Sequence, residues 1–443
     1  MKKLLLVSLL LPIIMIAACG RRTTEDDPDP VTITYANWNL GEYFDDALER
    51  QMLRAFMDKH THITVVVDER ITTPWTDSLT MVADSLPDVF MVDDISLKAA
   101  NGWLLDITGM AAADPDFLGL SGVIQEAVRI DGTVYALPFL KRVSGYFANL
   151  DLLREMGIPA PGFGVSAADF VAAAVAATDL NRPSIGLNQS FSFVDWYPGG
   201  VNPRLGFFAF DGFGYALNSP EMLEAVRIAS ELHAGGYTFA GLSDELARHF
   251  PSEYAMGAFR DGQMAFLYGG SWLMDSMLAQ ANFDWGFIGT PGGRAVVALE
   301  VIGISANTSH PYEAYLLAKW MGHGTAGSMH RLWLAGDLDV AIEGLPVSQN
   351  PYVLDELVRN LPVPGLREVY ASMDMALLDG HRVMPGYMQA RFSAPTGVEI
   401  ERAGLENASV DNLIRYSIMG HVDFARVSEI AEEVARRQLE AAR

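Results

Sequence analysis

One cysteine, Cys19, in a chain of 443 residues restricts what this sequence can become more than any other feature. Disulfides within the chain and cysteine-ligated zinc sites are ruled out, so a body of this size must be held together by apolar burial. The position of the cysteine adds to its solitude. Lys2 and Lys3 precede the apolar run LLLVSLLLPIIMIAAC at 4–19, which closes on the small residues Ala17 and Ala18. A charged start, an apolar middle and a small-residue end describe a secretory leader. The run falls short of the ~20 apolar residues that a membrane span requires, so residues 1–18 are expected to be a signal peptide.

The end of that run, Ile16-Ala17-Ala18-Cys19-Gly20, resembles the bacterial lipobox. The resemblance implies that Cys19 is lipidated and ties an extracytoplasmic body to a membrane. The stretch RRTTEDDPDP at 21–30 is polar and proline-bearing. With Cys19 it is expected to form a flexible tether over 19–30. The net charge is −24, and loss of Lys2 and Lys3 with the leader takes it to −26. A surface this acidic repels phosphate backbones, so nucleic acid is not an expected partner. Apolar residues make up 50% of the chain, which marks a packed globular body rather than a disordered one. Roughly 410 residues after the tether suggest two or three domain-sized units.

From Val31 onward, strands and helices alternate. VTITYANW at 31–38 is β-branched and alternating, and ITVVV at 63–67 is a second strand. Between them Phe44, Leu48, Met52 and Phe56 recur at helical spacing. LPDVFMVDD at 86–94 reads as a turn and a third strand ending in Asp93 and Asp94. This β-α-β-α-β order implies a mostly parallel sheet covered by helices, with ligands taken outside the carboxyl ends of the strands. Trp38, Asn39, Asp93 and Asp94 all fall there. Asp131-Gly132 between apolar residues signals a hairpin. Ser166 with Asp169, and Ser219-Pro220-Glu221, open helices that end near Ala177 and Gly235-Gly236.

The collinear set ITYANW, LPDVFMVDD, NGWLLDIT, DGTVYALPF and GYFANLDLLREMGIPAP resembles the solute-binding lipoproteins of ABC importers. It is most similar to extracellular family 1, which includes sugar- and maltodextrin-binding members. FRDGQMAFLYGGSW at 259–272, WGFIGTPGG at 285–293 and LPVS at 345–348 extend the likeness over nearly the whole chain beyond 31. It implies a two-lobed periplasmic-binding-protein-like (type II) α/β fold. Each lobe would be a mostly parallel sheet flanked by helices, with the hinge crossed more than once. Lobe 1 is expected over 31–145 and 300–345, and lobe 2 over 146–299 and 346–443.

A sugar offers hydroxyls at its rim and C–H groups on its faces, so its site calls for flat aromatics beside acids or amides. The residues suited to that chemistry are Trp38, Asn39, Trp75, Asp93, Asp94, Asp195, Trp196, Gly270, Trp272, Glu300 and Tyr387. Gly270 would let backbone approach a ligand. Glu300 is a lone acid in the apolar run ALEVIG, where the family more often has small residues. Trp103 and Trp320 read as packing. Lys141, Arg142, Arg204 and Arg294 could favour an acidic ligand.

Signs of catalysis are thin. Gly269-Gly270-Ser271-Trp272-Leu273 approaches G-x-S-x-G but ends in leucine, and neither H-E-x-x-H nor a P-loop is present. The sequence therefore points to a carrier rather than an enzyme, with no cofactor and no metal. It is expected to act as a monomer that captures a mono- or oligosaccharide and hands it to ABC permease subunits. A carrier of a non-sugar solute, a lipid-anchored glycoside hydrolase and an envelope scaffold are the alternatives.

Overall fold

The computed structural model describes residues 29–37, 40, 47–71, 79–80, 82–252, 254–342 and 344–443. The leader, most of the tether with Cys19, and Trp38, Asn39 and Trp75 lie outside the described residues. β1 (Val31–Ala36) pairs in parallel with β2 (Ile63–Val67) and β3 (Val89–Val92), as the alternation requires. The intervening helix Leu48–Lys59 turns Met52, Leu53 and Phe56 inward. β4 (Arg129–Ile130) and β5 (Thr133–Val134) form the hairpin, with Asp131 at φ 49° and Gly132 at φ 83°. Positive φ at both turn residues is what a tight two-residue hairpin demands, and Asp-Gly supplies it cheaply.

β6 (Ala136–Asn149) is the longest strand. β7 (Ile185–Leu187), β8 (Met264–Gly270), β9 (Trp285–Phe287), β10 (Val296–Ile304), β11 (Leu345–Pro346) and β12 (Leu377–Leu378) complete the set. A single ten-stranded sheet runs β2-β1-β3-β10-β6-β8-β7, with β9, β11 and β12 attached to its middle strands. Parallel ladders occupy its two ends, whereas β10 is antiparallel to β3 and β6, and β8 is antiparallel to β6. The sheet is thus mixed. Its antiparallel central strands are neighbours in space but distant in sequence, with the helices of residues 150–263 lying between β6 and β8.

Three apolar cores line this sheet. One gathers Ile33, Phe56, Phe90 and Leu317. A second gathers Phe170, Trp196, Met222 and Leu413, and a third gathers Phe147, Phe259, Leu332 and Tyr370. The third takes side chains from both segments of chain expected to form separate lobes. The run DWYPGG looks like a loop, yet the helix Phe193–Val201 contains it, with Pro198 inside. Burial of Phe193 and Trp196 overrides the local preference of Pro and Gly for a turn.

β6 and β10 carry residues of more than one core, and their neighbours change at one level. One edge of β6 is lined by β10, from Gly303 opposite Ala136 to Val296 opposite Ser144. Its other edge meets β11 at Leu140 and Lys141, then β8 from Ser144 onward. The Val143 N–H falls in the gap and donates to Ser271 Oγ at 3.3 Å. β10 changes partner likewise, from β3 over 301–304 to β12 over 296–297, with a bulge between Leu299 and Val301.

Lys141 sits at this level, opposite Leu299 and Leu345. It is fully buried, its Nζ has no hydrogen-bond partner among the described residues, and it lies 3.6 Å from the Tyr370 ring centroid. Burial disfavours the ammonium and lowers its pKa from 10.5 to about 7. Between those values the unfolded chain holds a proton that the folded chain has released, so stability rises with pH across that window. Lys141→Met is expected to flatten that rise. It should also raise stability at neutral pH, within the ~1–4 kcal/mol seen when apolar groups replace buried charged ones. Urea unfolding of both proteins at several pH values checks this.

Candidate functional site

The partner change on β10 leaves 298–300 without a strand neighbour on one side among the described residues. The carboxyl end of β3 reaches this notch from one direction and the segment after β12 from the other. Such switch points are where open α/β sheets take ligands. The helix Gly380–Val383, which follows β12, packs against the helix Ile95–Ala100, which follows β3. Val383 touches both the first and the second core. The notch is therefore a seam between two bodies.

On one side of the seam, Asp93 is ion-paired with the buried Lys98. Asp94 caps the helix Ile95–Ala100, its Oδ1 accepting from the Leu97 N–H at 2.9 Å. Burial raises the Asp94 carboxyl above its ordinary range. At the crossing itself Glu300 is 2% exposed, and its Oε1 accepts from Arg142 Nε at 2.8 Å. Strand alternation sends Arg142 to the face opposite Lys141.

The other side is built around Arg391. A π-helical turn, Gln389–Ser393, presents its guanidinium to Asp195 Oδ1 at 2.5 Å, Tyr387 Oη at 2.7 Å and Asp411 Oδ1 at 3.0 Å. Its guanidinium carbon lies 4.3 Å from the Phe208 ring centroid. Phe208 and the next residue, Ala209, hold φ of 52° and 55°, a left-handed backbone that side chains seldom adopt. Strain of this kind persists only where packing overdetermines it. Phe208 meets that condition, wedged between Arg391 and the edge of Tyr387. Burial raises the Asp195 carboxyl against the pull of Arg391, and Asp379 and Asp411 add to the rise. Burial would raise Asp379 too, but the hydrogen bond and charge of His381 hold it below its usual value.

Trp196 and Tyr387, expected to face a ligand, are enclosed instead. The Trp196 indole donates to Tyr146 Oη at 3.2 Å and meets Phe170 and Phe193 ring to ring. Tyr387 is stacked among Phe207, Phe208 and His381. Both lie on the inner face of their helical segments, which the aromatic core claims first. Trp272 is 46% exposed, in the 3-10 turn Ser271–Leu273 directly after β8. Its ring lies on Gly270, where an added Cβ would stand 2.1 Å from the indole. Ser271 is buried and bound to the β6 backbone, so the near-match to G-x-S-x-G is a structural bracket. Arg391, Asp411, Asp379, His381 and Lys98 complete the ion pairs of the seam. Nothing in their local sequence marks them.

The family model for bacterial extracellular solute-binding proteins matches residues 37–322. The chain belongs to this family. Solute-binding proteins of ABC transporters bind their cargo and do not transform it, so the chain is not an enzyme. No curated protein matches by sequence. Among solved structures, an ABC substrate-binding protein from Listeria monocytogenes in complex with cycloalternan is 20% identical, with a TM-score of 0.67 over 93% of this chain and 100% of that one. The cyclic alpha-maltosyl-1,6-maltose binding protein of Arthrobacter globiformis is 19% identical, with a TM-score of 0.63 over 93% and 100%. A sugar-binding protein from Xanthomonas citri is 16% identical, with a TM-score of 0.65 over 93% and 99%. At these identities the likeness establishes the fold, a two-lobed periplasmic one.

Removal of Arg391 would leave the part-buried Asp195 carboxylate and the buried Tyr387 hydroxyl without their shared partner, and Asp411 with Arg415 alone. Arg391→Leu is expected to cost ~3–5 kcal/mol in urea unfolding. Arg391→Lys should recover little, because one ammonium cannot reproduce the planar fork that reaches Asp195, Tyr387 and Asp411 together.

Proposed function

We propose that this solute-binding protein captures a neutral carbohydrate in the seam, closes its lobes over it and delivers it to an ABC permease. The observation that carries this reading is the charge pairing. Lys98 is matched by Asp93, Arg142 by Glu300, and Arg391 by Asp195 and Asp411, while His381 is hydrogen-bonded to Asp379. An anionic solute would have to break one of these pairs, whereas a sugar hydroxyl can join them. Trp272, propped on Gly270, supplies the flat face. The Listeria structure holds cycloalternan and the Arthrobacter protein binds cyclic alpha-maltosyl-1,6-maltose, both saccharides, which favours the same class here.

In this reading Asp93, Asp195, Gly270, Trp272 and Glu300 meet the solute or hold the groups that do, with Asp94 close by. Trp38, Asn39 and Trp75 complete the site. The lobes are 31–145 with 300–345, and 146–299 with 346–443. Lipid on Cys19 after loss of residues 1–18 keeps the protein beside its importer, and the protein acts as a monomer. No helix among the described residues is long and apolar enough to cross a membrane.

A thermal-shift screen of the soluble body against maltose, maltohexaose, cyclic glucans and amino acids tests the substrate class. A sugar at a hundred times its dissociation constant should stabilise by about 2.7 kcal/mol. Its affinity should change little up to ~0.5 M salt, because no charge on the solute is screened. Trp272→Ala should weaken it roughly tenfold, in line with the loss of one aromatic contact. Stabilisation by an amino acid alone, or release of shorter sugars, would reject the reading. Separately, palmitate labelling of cells should mark the wild type and spare Cys19→Ser.

A further inference from the structure

Away from the seam, an open cavity of about 550 Å³ lies where the ends of the helices Leu48–Lys59, Pro311–Met321, Thr325–Leu338 and Pro351–Asn360 meet. Its wall is a stepped row of rings. His330 stands 5.4 Å from Trp320 and 5.5 Å from Trp333, centroid to centroid, each at 40°. Trp320 is anchored, its indole donating to the Met52 carbonyl at 2.9 Å. Trp333 is not. It is 58% exposed, and among the described residues neither its indole nor the His330 ring makes a hydrogen bond. The helix Thr325–Leu338 buries Leu332, Leu334 and Ala335, so Trp333 contributes nothing to that inner face.

The polar groups around the rings narrow what could bind. The Lys59 ammonium lies 5.2 Å from the Trp320 centroid and occupies the ring face a cationic ligand would seek. An anion would meet the Glu356 carboxylate and find Arg359 already paired with it. Burial, reinforced by Lys59, lowers the His330 pKa, so the imidazole is neutral at pH 7 and offers one donor and one acceptor. A purely apolar ligand would strand Glu356, Arg359 and Lys59. What remains is an uncharged molecule with apolar faces and a hydroxyl rim.

We infer that the Trp333–His330 wall is a second, surface carbohydrate site, shallow and separate from the interlobe seam, which takes neutral glycans by stacking on Trp333 and hydrogen bonding to His330, Glu356 and Arg359. It shares no residue with the seam and stands or falls independently of it. Such a site would hold the protein on a polysaccharide while the seam works on soluble sugar.

The chain has eight tryptophans, so 5-fluorotryptophan labelling gives a countable fluorine spectrum. Trp333→Phe identifies the Trp333 signal and Trp272→Phe the seam signal. Titration with maltohexaose, cellohexaose and xylohexaose is expected to move the Trp333 signal saturably with at least one of them. The midpoint should rise at least fivefold in Glu356→Gln, and the Trp272 response should be the same in both proteins. Because Trp333 is exposed, Trp333→Ala should melt with the wild type and still bind the seam's sugar. No movement of Trp333 with any of the three glycans overturns the site, whatever Trp272 does. Movement with tetramethylammonium instead, or with protein concentration in the absence of glycan, overturns it in favour of a cation site or a contact between copies.

Discussion

The fold depends on two strands that belong to no single core. β6 and β10 lie side by side, and on the outer edge of each the neighbouring strand is exchanged at the level of Lys141 and Glu300. Backbone pairing between them is continuous except at one bulge, so the cores they border share one sheet. The exchange of outer partners creates the notch, and beside it stand side chains of β6 and β10, of the segments that follow β3 and β12, and of the π-helical turn. Lys141 points the other way, into apolar surroundings, with an aromatic ring as its main company. Its amine is buried at this level with no hydrogen-bond partner among the described residues.

Electrostatics in the seam work by mutual saturation. Arg391 holds two carboxylates and a phenol, Arg142 holds Glu300, and Lys98 holds Asp93. Pairing keeps half-buried charges tolerable and fixes the direction of each carboxylate. It also leaves a surface rich in oriented donors and acceptors, with no cation in these pairs left without a carboxylate. The strained backbone at Phe208 and Ala209 belongs to the same arrangement, since the Phe208 ring covers the guanidinium that organises it.

Much of the framework is legible in the sequence because its signals are local. The alternating strands β1 to β3, the Asp-Gly hairpin and the serine caps at Ser166 and Ser219 each rest on a few neighbouring residues. The collinear motifs pointed to the right family. The site is less legible because its bonds span the chain. Asp195 meets Arg391 196 positions away, and Glu300 meets Arg142 158 positions away. Asp195 and Glu300 stand out as acids in unusual company, but their partners sit in ordinary runs such as QARFS. The aromatics divide by what the core takes. Trp196 and Tyr387 looked like ligand platforms because Gly and Pro beside them suggested loops, and tertiary packing drew both inward. Trp272 follows a pair of glycines that leave its ring room to lie across the backbone, and it stays partly exposed.

The two shared strands also bear on how such a protein can evolve. β6 donates its first half to one body and its second half to the other, and β10 does the same in reverse order. A gene cut at either crossing would leave each product with a sheet missing its central rung and an unpaired edge down the middle. Such a cut is disfavoured, because it exposes unpaired strand edges on both products. New specificities must come from substitutions at the notch and from insertions at the sheet's ends, which is consistent with a fold retained across most of the chain at identities near one residue in five.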